Sequence, residues 1–229
     1  MSIKVCAFDA YGTLFDLSSA ARIALEDHDK KAGGNISQTV AENWRLKQLQ
    51  YTWIRAITGE HADFWNVTCE SLDWALEKSN LLNDGQLRNR LLDLYRELEV
   101  YPEVPRVLAE LDKSPLPAVI LSNGSPEMLQ AAVDASGIGK YLEALLSVED
   151  VGVFKPAPQV YEMVLKRFGC QPDEVLFVSS NGWDAAAAKG FGFLTVWANR
   201  ANDPVDRFPW TPDFILSSLV KIPTLAKKL

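Results

Sequence analysis

Cysteine is scarce in this sequence: three residues in 229, Cys6, Cys69 and Cys170, far apart and without C-x-x-C or zinc-type spacing. That excludes a disulfide scaffold and suits a reducing compartment. Histidine is scarcer still; His28 and His61 match no catalytic pattern. No stretch approaches the roughly 18 apolar residues of a membrane span, and the amino-terminal segment reaches Asp9 before a signal-length apolar run develops. Positive charge is also in deficit, with 23 Lys and Arg against 30 Asp and Glu, a net −7. This argues against nucleic acid as a bulk electrostatic partner and leaves a local basic pocket open. Repeats and low-complexity linkers are missing too. The expectation is a soluble, cytoplasmic protein with no membrane or nucleic-acid partner.

What is present is ordinary globular composition, 48% hydrophobic and 23% charged, which excludes disorder, collagen and extended coiled coil. Short apolar, β-prone runs recur at residues 3–8, 118–121, 175–178 and 193–197, each ending in small or polar residues. Runs without alternation read as strands buried on both faces, as in a parallel sheet. Helical patterns lie between them at 104–112, 126–136, 158–168 and 184–190. This alternation predicts an α/β fold: a doubly wound, mostly parallel, Rossmann-like sheet domain.

Residues 16–98 break the rhythm. They carry helical patterns and four of the seven tryptophans, Trp44, Trp53, Trp65 and Trp74, with no buried strand. The expected organisation is a core of residues 1–15 and 99–229 with an inserted helical cap, 16–98. Within the cap, residues 38–57 form a helix apolar on two sides: Val40, Trp44, Tyr51 and Ile54 on one, Leu46, Leu49, Trp53 and Ile57 on the other. Two apolar faces need two surfaces to pack against, the second being a pocket or a partner subunit. Arg45 sits at the edge of the second face, where a solvated arginine is the simplest reading of the pattern alone.

In open parallel sheets ligands bind beyond the carboxyl ends of the strands. Four polar clusters stand there: Asp9-Ala10-Tyr11-Gly12-Thr13, then Ser122-Asn123-Gly124, then Lys155-Pro156 after Leu145-Leu146, then Ser179-Ser180-Asn181-Gly182-Trp183-Asp184. In order and spacing they resemble the four motifs of the haloacid dehalogenase superfamily, across nearly the whole chain. That superfamily is mostly phosphatases, so the likeness alone does not select a reaction.

Two departures select it. Phosphatases of this type carry a second acid two residues after the nucleophile, to protonate an alkoxide leaving group. Here that position is Tyr11, whose reference pKa near 10 suits it poorly for the task; a halide needs no proton to leave. The fourth motif in phosphatases holds magnesium with paired acids, and here Ser180 replaces one of them, leaving Asp184. Both departures are similar to those of the L-2-haloacid dehalogenases, as is the segment from Trp44 to Trp53 with its Arg45.

The resemblance implies displacement of halide at C2 by the Asp9 carboxylate, then hydrolysis of the Asp9 ester, turning an L-2-haloacid into a D-2-hydroxy acid without cofactor or metal. It assigns Thr13 to orient Asp9 and Lys155 to balance its charge. Ser122 and the backbone N–H groups after Tyr11 bind the substrate carboxylate; Arg45 and Asn123 receive the halide. Tyr11, Leu49 and Phe64 or Trp65 line the apolar wall. Asp184 positions water, with Ser179 and Asn181 supporting the site. Tyr161 resembles the family's tyrosine, and Trp183 is a pocket or core residue. A homodimer is also implied.

Plainer readings stand beside these: a turn-capping Asp9, an exposed Lys155, Asp184 as a lysine partner or helix cap, Tyr161 as a packing residue. The competing functions are a phosphatase or phosphoryl-transfer enzyme of the same fold, and a non-catalytic small-molecule binding module.

Overall fold

The computed structural model describes residues 2–32 and 35–229. Its strands are β1 Val5–Phe8, β2 Ala118–Ser122, β3 Ala144–Ser147, β4 Val175–Ser179, β5 Leu194–Ala198 and β6 Phe214–Leu216. They form one sheet in the order β3-β2-β1-β4-β5-β6, every pair parallel. The chain runs outward from β1 to β3, then returns to the far side of β1 as β4. Connections diverge there, which opens a crevice at the carboxyl ends of β1 and β4. Every residue of β1, β2 and β4 is buried, as strands without alternation must be when helices cover both faces.

Four expected runs match β1, β2, β4 and β5 to within two residues at either end. The sequence shows β3 only as Leu145-Leu146, and it does not show β6. That edge strand has three residues, none of them buried, so it carries no apolar run to detect.

Among the described residues, β1 is followed by the helices α1 Ser18–Ala24, α2 Glu26–Ala32, α3 Ile36–Thr58, α4 Phe64–Lys78 and α5 Gly85–Arg96. The chain continues with α6 Val104–Leu111, α7 Pro126–Ser136, α8 Pro158–Phe168, α9 Gly182–Phe191 and α10 Ile222–Ala226. Local chemistry sets the ends. The Asp63 carboxylate accepts the Trp65 N–H at 2.6 Å to start α4, and α3 stops at Gly59, whose φ of 76° is left-handed.

The expected two apolar faces of α3 need correction. Its buried stripe advances four residues at a time, Val40, Trp44, Gln48, Thr52, and so winds away from Ile54. Gln48 and Thr52 turn inward although polar; for Gln48 the reason is that α4 and α5 supply its hydrogen-bond partners. Leu46, Ile54 and Ile57 are left 48%, 61% and 83% exposed. No helix among the described residues is long and apolar enough to cross a membrane.

Candidate active site

Asp9 follows β1 directly, and its carboxylate gathers three donors. Thr13 Oγ1 and Asn181 Nδ2 both donate to Oδ2 at 2.9 Å, and Lys155 Nζ lies 3.1 Å from Oδ1. Asp9 is 6% exposed and Lys155 1%. A threonine hydroxyl has one proton; with it given to Asp9, the oxygen accepts the Ser180 N–H at 2.8 Å. The turn that presents Asp9 needs Gly12, at φ 86°. It closes on itself: the N–H of Gly12 donates to Phe15 O and that of Thr13 to Ala10 O. These two N–H groups, expected to face the substrate carboxylate, are therefore already engaged, because the tight turn uses them to hold its own shape.

Lys155 is a buried cation between two carboxylates. Its Nζ also lies 2.9 Å from Asp184 Oδ2, while Tyr161 donates its phenol proton to Asp184 Oδ1 at 2.8 Å. The Lys155 backbone N–H donates to Asn123 Oδ1 at 2.9 Å, which ties the second strand-end cluster to the third. Burial disfavours every charge here. At Lys155 the burial penalty is outweighed by Asp184 and Asp9, and its pKa rises above the ordinary lysine value. At Asp184 burial prevails over Lys155 and Tyr161, aided by the Asp9 charge, and the carboxyl is raised above the ordinary aspartate value. Burial, then Asp184, pushes Tyr161 well above the usual phenol range. Asp184 is thus the lysine partner that the plainer reading allowed, and Lys155 is not an exposed lysine.

Arg45 comes from α3 rather than from the sheet. Its guanidinium donates to Gln48 Oε1 at 2.8 Å and across to Asn181 Oδ1 at 3.1 Å, so it is not simply solvated. Asn181, its own N–H donated to Ser179 Oγ at 3.1 Å, thereby joins Arg45 to Asp9. Arg45, Leu49, Ser180 and Asn181 line two adjoining clefts of about 550 Å³ each, and Trp183 lines the second. The Trp183 ring meets Trp53 of α3 edge-on at 5.5 Å.

Tyr11 belongs to an aromatic wall, stacked on Tyr95 at 5.5 Å and tilted against Phe64 at 6.0 Å. Of the two aromatic candidates Phe64 therefore faces Tyr11, while Trp65 lies under the Arg96 guanidinium at 4.2 Å. Burial, then Tyr95 and Asp9, drives the Tyr11 pKa well above the phenol range. A Cβ at Gly124 would come within 2.7 Å of the Tyr11 ring, so the glycine makes room for it. Ser122 Oγ accepts the Gly124 N–H at 3.0 Å, which leaves its own proton to donate.

Gln48, Thr68 and Tyr95 were missed by sequence reasoning, since a lone amide or hydroxyl on a helix gives no periodic signal. His61, assigned no catalytic role, pairs with Glu149 at 2.8 Å. Among the described residues no group of three or more His, Cys, Asp or Glu side chains is gathered as for a metal ion.

Comparison with known proteins gives the family. The model of the haloacid dehalogenase-like hydrolases matches residues 3–192. The (S)-2-haloacid dehalogenase 1 of Pseudomonas sp. (strain CBS-3) is 42% identical over 99% of this chain and 98% of its own. That of Xanthobacter autotrophicus is 44% identical over 98% and 95%. A crystal structure of the L-2-haloacid dehalogenase from X. autotrophicus with chloropropionic acid covalently bound superposes with a TM-score of 0.85, at 36% identity over 99% of both chains. Likeness that runs through core and insertion alike leaves one placement: the chain belongs to the L-2-haloacid dehalogenase family of the haloacid dehalogenase-like hydrolases.

Proposed function

We propose that the protein hydrolyses L-2-haloalkanoic acids to D-2-hydroxyalkanoic acids through an ester on Asp9, with inversion at C2, using neither metal nor cofactor. The observation that carries this reading is the buried Asp9 carboxylate, set against Lys155, Thr13 and Asn181, with Tyr11 where a leaving-group acid would stand. An Asp9 oxygen attacks C2, the carbon–halogen bond breaks, and the electron pair leaves on the halide. In-line attack inverts C2. Water then adds to the Asp9 acyl carbon, the acyl C–O bond breaks, and a 2-hydroxy acid departs while Asp9 is regenerated. The second step leaves C2 untouched, so the inversion stands. Donors already placed on the Asp9 oxygens then face the developing oxyanion. A covalent chloropropionic acid adduct in the Xanthobacter relative supports the first step.

Arg45 and Asn123 take the departing halide, and Ser122, with a proton to donate, takes the substrate carboxylate. Tyr11, Leu49, Phe64 and Trp183 enclose the alkyl group. Asp184, backed by Tyr161 and Lys155, positions the hydrolytic water, and Ser179 steadies Asn181. Residues 16–98 act as a cap over a core of 1–15 and 99–229. The chain forms a homodimer through the exposed stripe of α3, and works in the cytoplasm, where Cys6, Cys69 and Cys170 stay free.

The test is chloride release from L-2-chloropropionate beside phosphate release from phosphate esters with magnesium. Metal-dependent phosphate release without chloride release would overturn the proposal. Asp9→Asn is expected to lose at least about 10⁴-fold in kcat, as loss of a nucleophile does. Single turnover in heavy-oxygen water should place label in the Asp9 peptide; label confined to the product would mean direct attack by water.

A further inference from the structure

Resting on that reading, we infer that Gln48 is a positioning residue that aims the Arg45 guanidinium at the departing halide. Gln48 is 1% exposed, an expensive place for an amide unless its hydrogen bonds are made. They are made in one orientation only. Arginine has donors and no acceptor, so the amide oxygen must face Arg45, and Oε1 accepts from it at 2.8 Å. The amide nitrogen is then turned to two hydroxyls, Thr68 Oγ1 at 2.8 Å and Tyr95 OH at 3.0 Å. Thr68 gives its own proton to Phe64 O at 2.8 Å, so towards Gln48 its oxygen accepts. The Tyr95 ring is clamped between Tyr11 at 5.5 Å and Trp44 at 4.9 Å.

The amide therefore cannot flip without setting like against like, and the guanidinium inherits this order. With one nitrogen fixed by Gln48, the other meets Asn181 Oδ1 at 3.1 Å, and the Asn181 amide donates onward to Asp9. Two neutral amides, Gln48 and Asn181, thus hold a cation whose own side chain is long and rotamer-rich. Displacements of about 1 Å at such a group cost about 10²-fold in rate.

The test is leaving-group dependence. Halide departure depends more on a well-placed donor for chloride than for iodide, which leaves readily by itself. In Gln48→Leu, single-turnover chloride release from L-2-chloropropionate should fall about 10²-fold, and iodide release from the iodo analogue far less. The inhibition constants of the product halides should rise. In an Arg45→Lys background, Gln48→Leu should add little.

Equal losses for both halides in Gln48→Leu would overturn the inference and leave the proposed function intact. A wild-type protein releasing no halide from any 2-haloacid would overturn both. Should Gln48→Leu fail to fold, Tyr95→Phe keeps the ring and removes the hydroxyl that accepts from the amide nitrogen at 3.0 Å and donates to its oxygen at 3.4 Å. It should shift the ratio in the same direction by less, and an unchanged ratio in it would overturn the inference.

Discussion

Lys155 answers to two carboxylates at once, and that sharing decides how the site titrates. A lone buried ammonium would be driven towards its neutral form. Here Asp9 and Asp184 outweigh burial, and the pKa of Lys155 is raised. One ammonium cannot compensate two buried carboxylates fully, and the shortfall falls on Asp184, whose pKa is raised by burial and by the Asp9 charge. Tyr161 acts against that rise: its O–H donates to Asp184, a bond that favours the ionised form. If ionised Asp184 positions the water, protonating it stops ester hydrolysis. The acid limb of kcat, which reports groups in the bound complex, then follows Asp184 with Asp9 esterified and its charge gone, so that burial alone opposes Lys155 and Tyr161 there. Tyr161→Phe removes a stabiliser of the charged form, so the limb should move up in pH while the high-pH plateau changes less. A pH–rate series on both proteins checks this; a limb that stays put or moves down would remove Asp184 from the role.

Helix α3 links the packing of the insertion to the chemistry of the core. Its outward-reaching Arg45 is only as well placed as its seat on α4, and Trp44 is part of that seat, its indole N–H donating to Thr68 O at 2.9 Å. Trp44→Phe removes that bond but leaves the carbonyl the Ser71 hydroxyl at 3.0 Å, so it is expected to cost about 0.5–1.5 kcal/mol, read as a lower Tm. Turnover should fall with it, because Gln48 and Thr68 move together. Much of this architecture is legible in the sequence. Runs such as Val175-Leu-Phe-Val178 have nowhere to go but a sheet interior, and Asp9, Ser122 and Ser179 mark strand ends by polarity alone. Arg45 is legible only through the family resemblance of its helix. Gln48 is not legible at all, because its burial depends on Thr68 and Tyr95, which are 20 and 47 residues away. The edge strand β6 is hidden for the opposite reason: too little of it is buried to leave a pattern.

The whole molecule carries a net charge of −7 and yet is proposed to accept an anion, which the local cations Arg45 and Lys155 reconcile with the acidic surface. A second contrast lies on the outside. Leu46, Ile54 and Ile57 expose apolar side chains along one side of α3, adjoining an apolar hollow of about 580 Å³ lined by Trp53, Trp183, Phe208 and Trp210. Scattered apolar residues need no explanation, but a contiguous patch of aliphatic and aromatic groups does. A stable two-fold interface buries about 1,200–2,000 Å² in total, and a long exposed helix face beside a hollow suits such self-complementary contact. Light scattering at micromolar concentration should therefore give about twice the 25.5 kDa chain mass. Ile54→Glu with Ile57→Glu should return it to the monomer. Both side chains are exposed within one chain, so the change should cost the fold no more than about 0.5 kcal/mol per site. The drop in mass then reports association and not unfolding. A wild-type monomer, or a double variant that stays dimeric, would show that this face is not the interface.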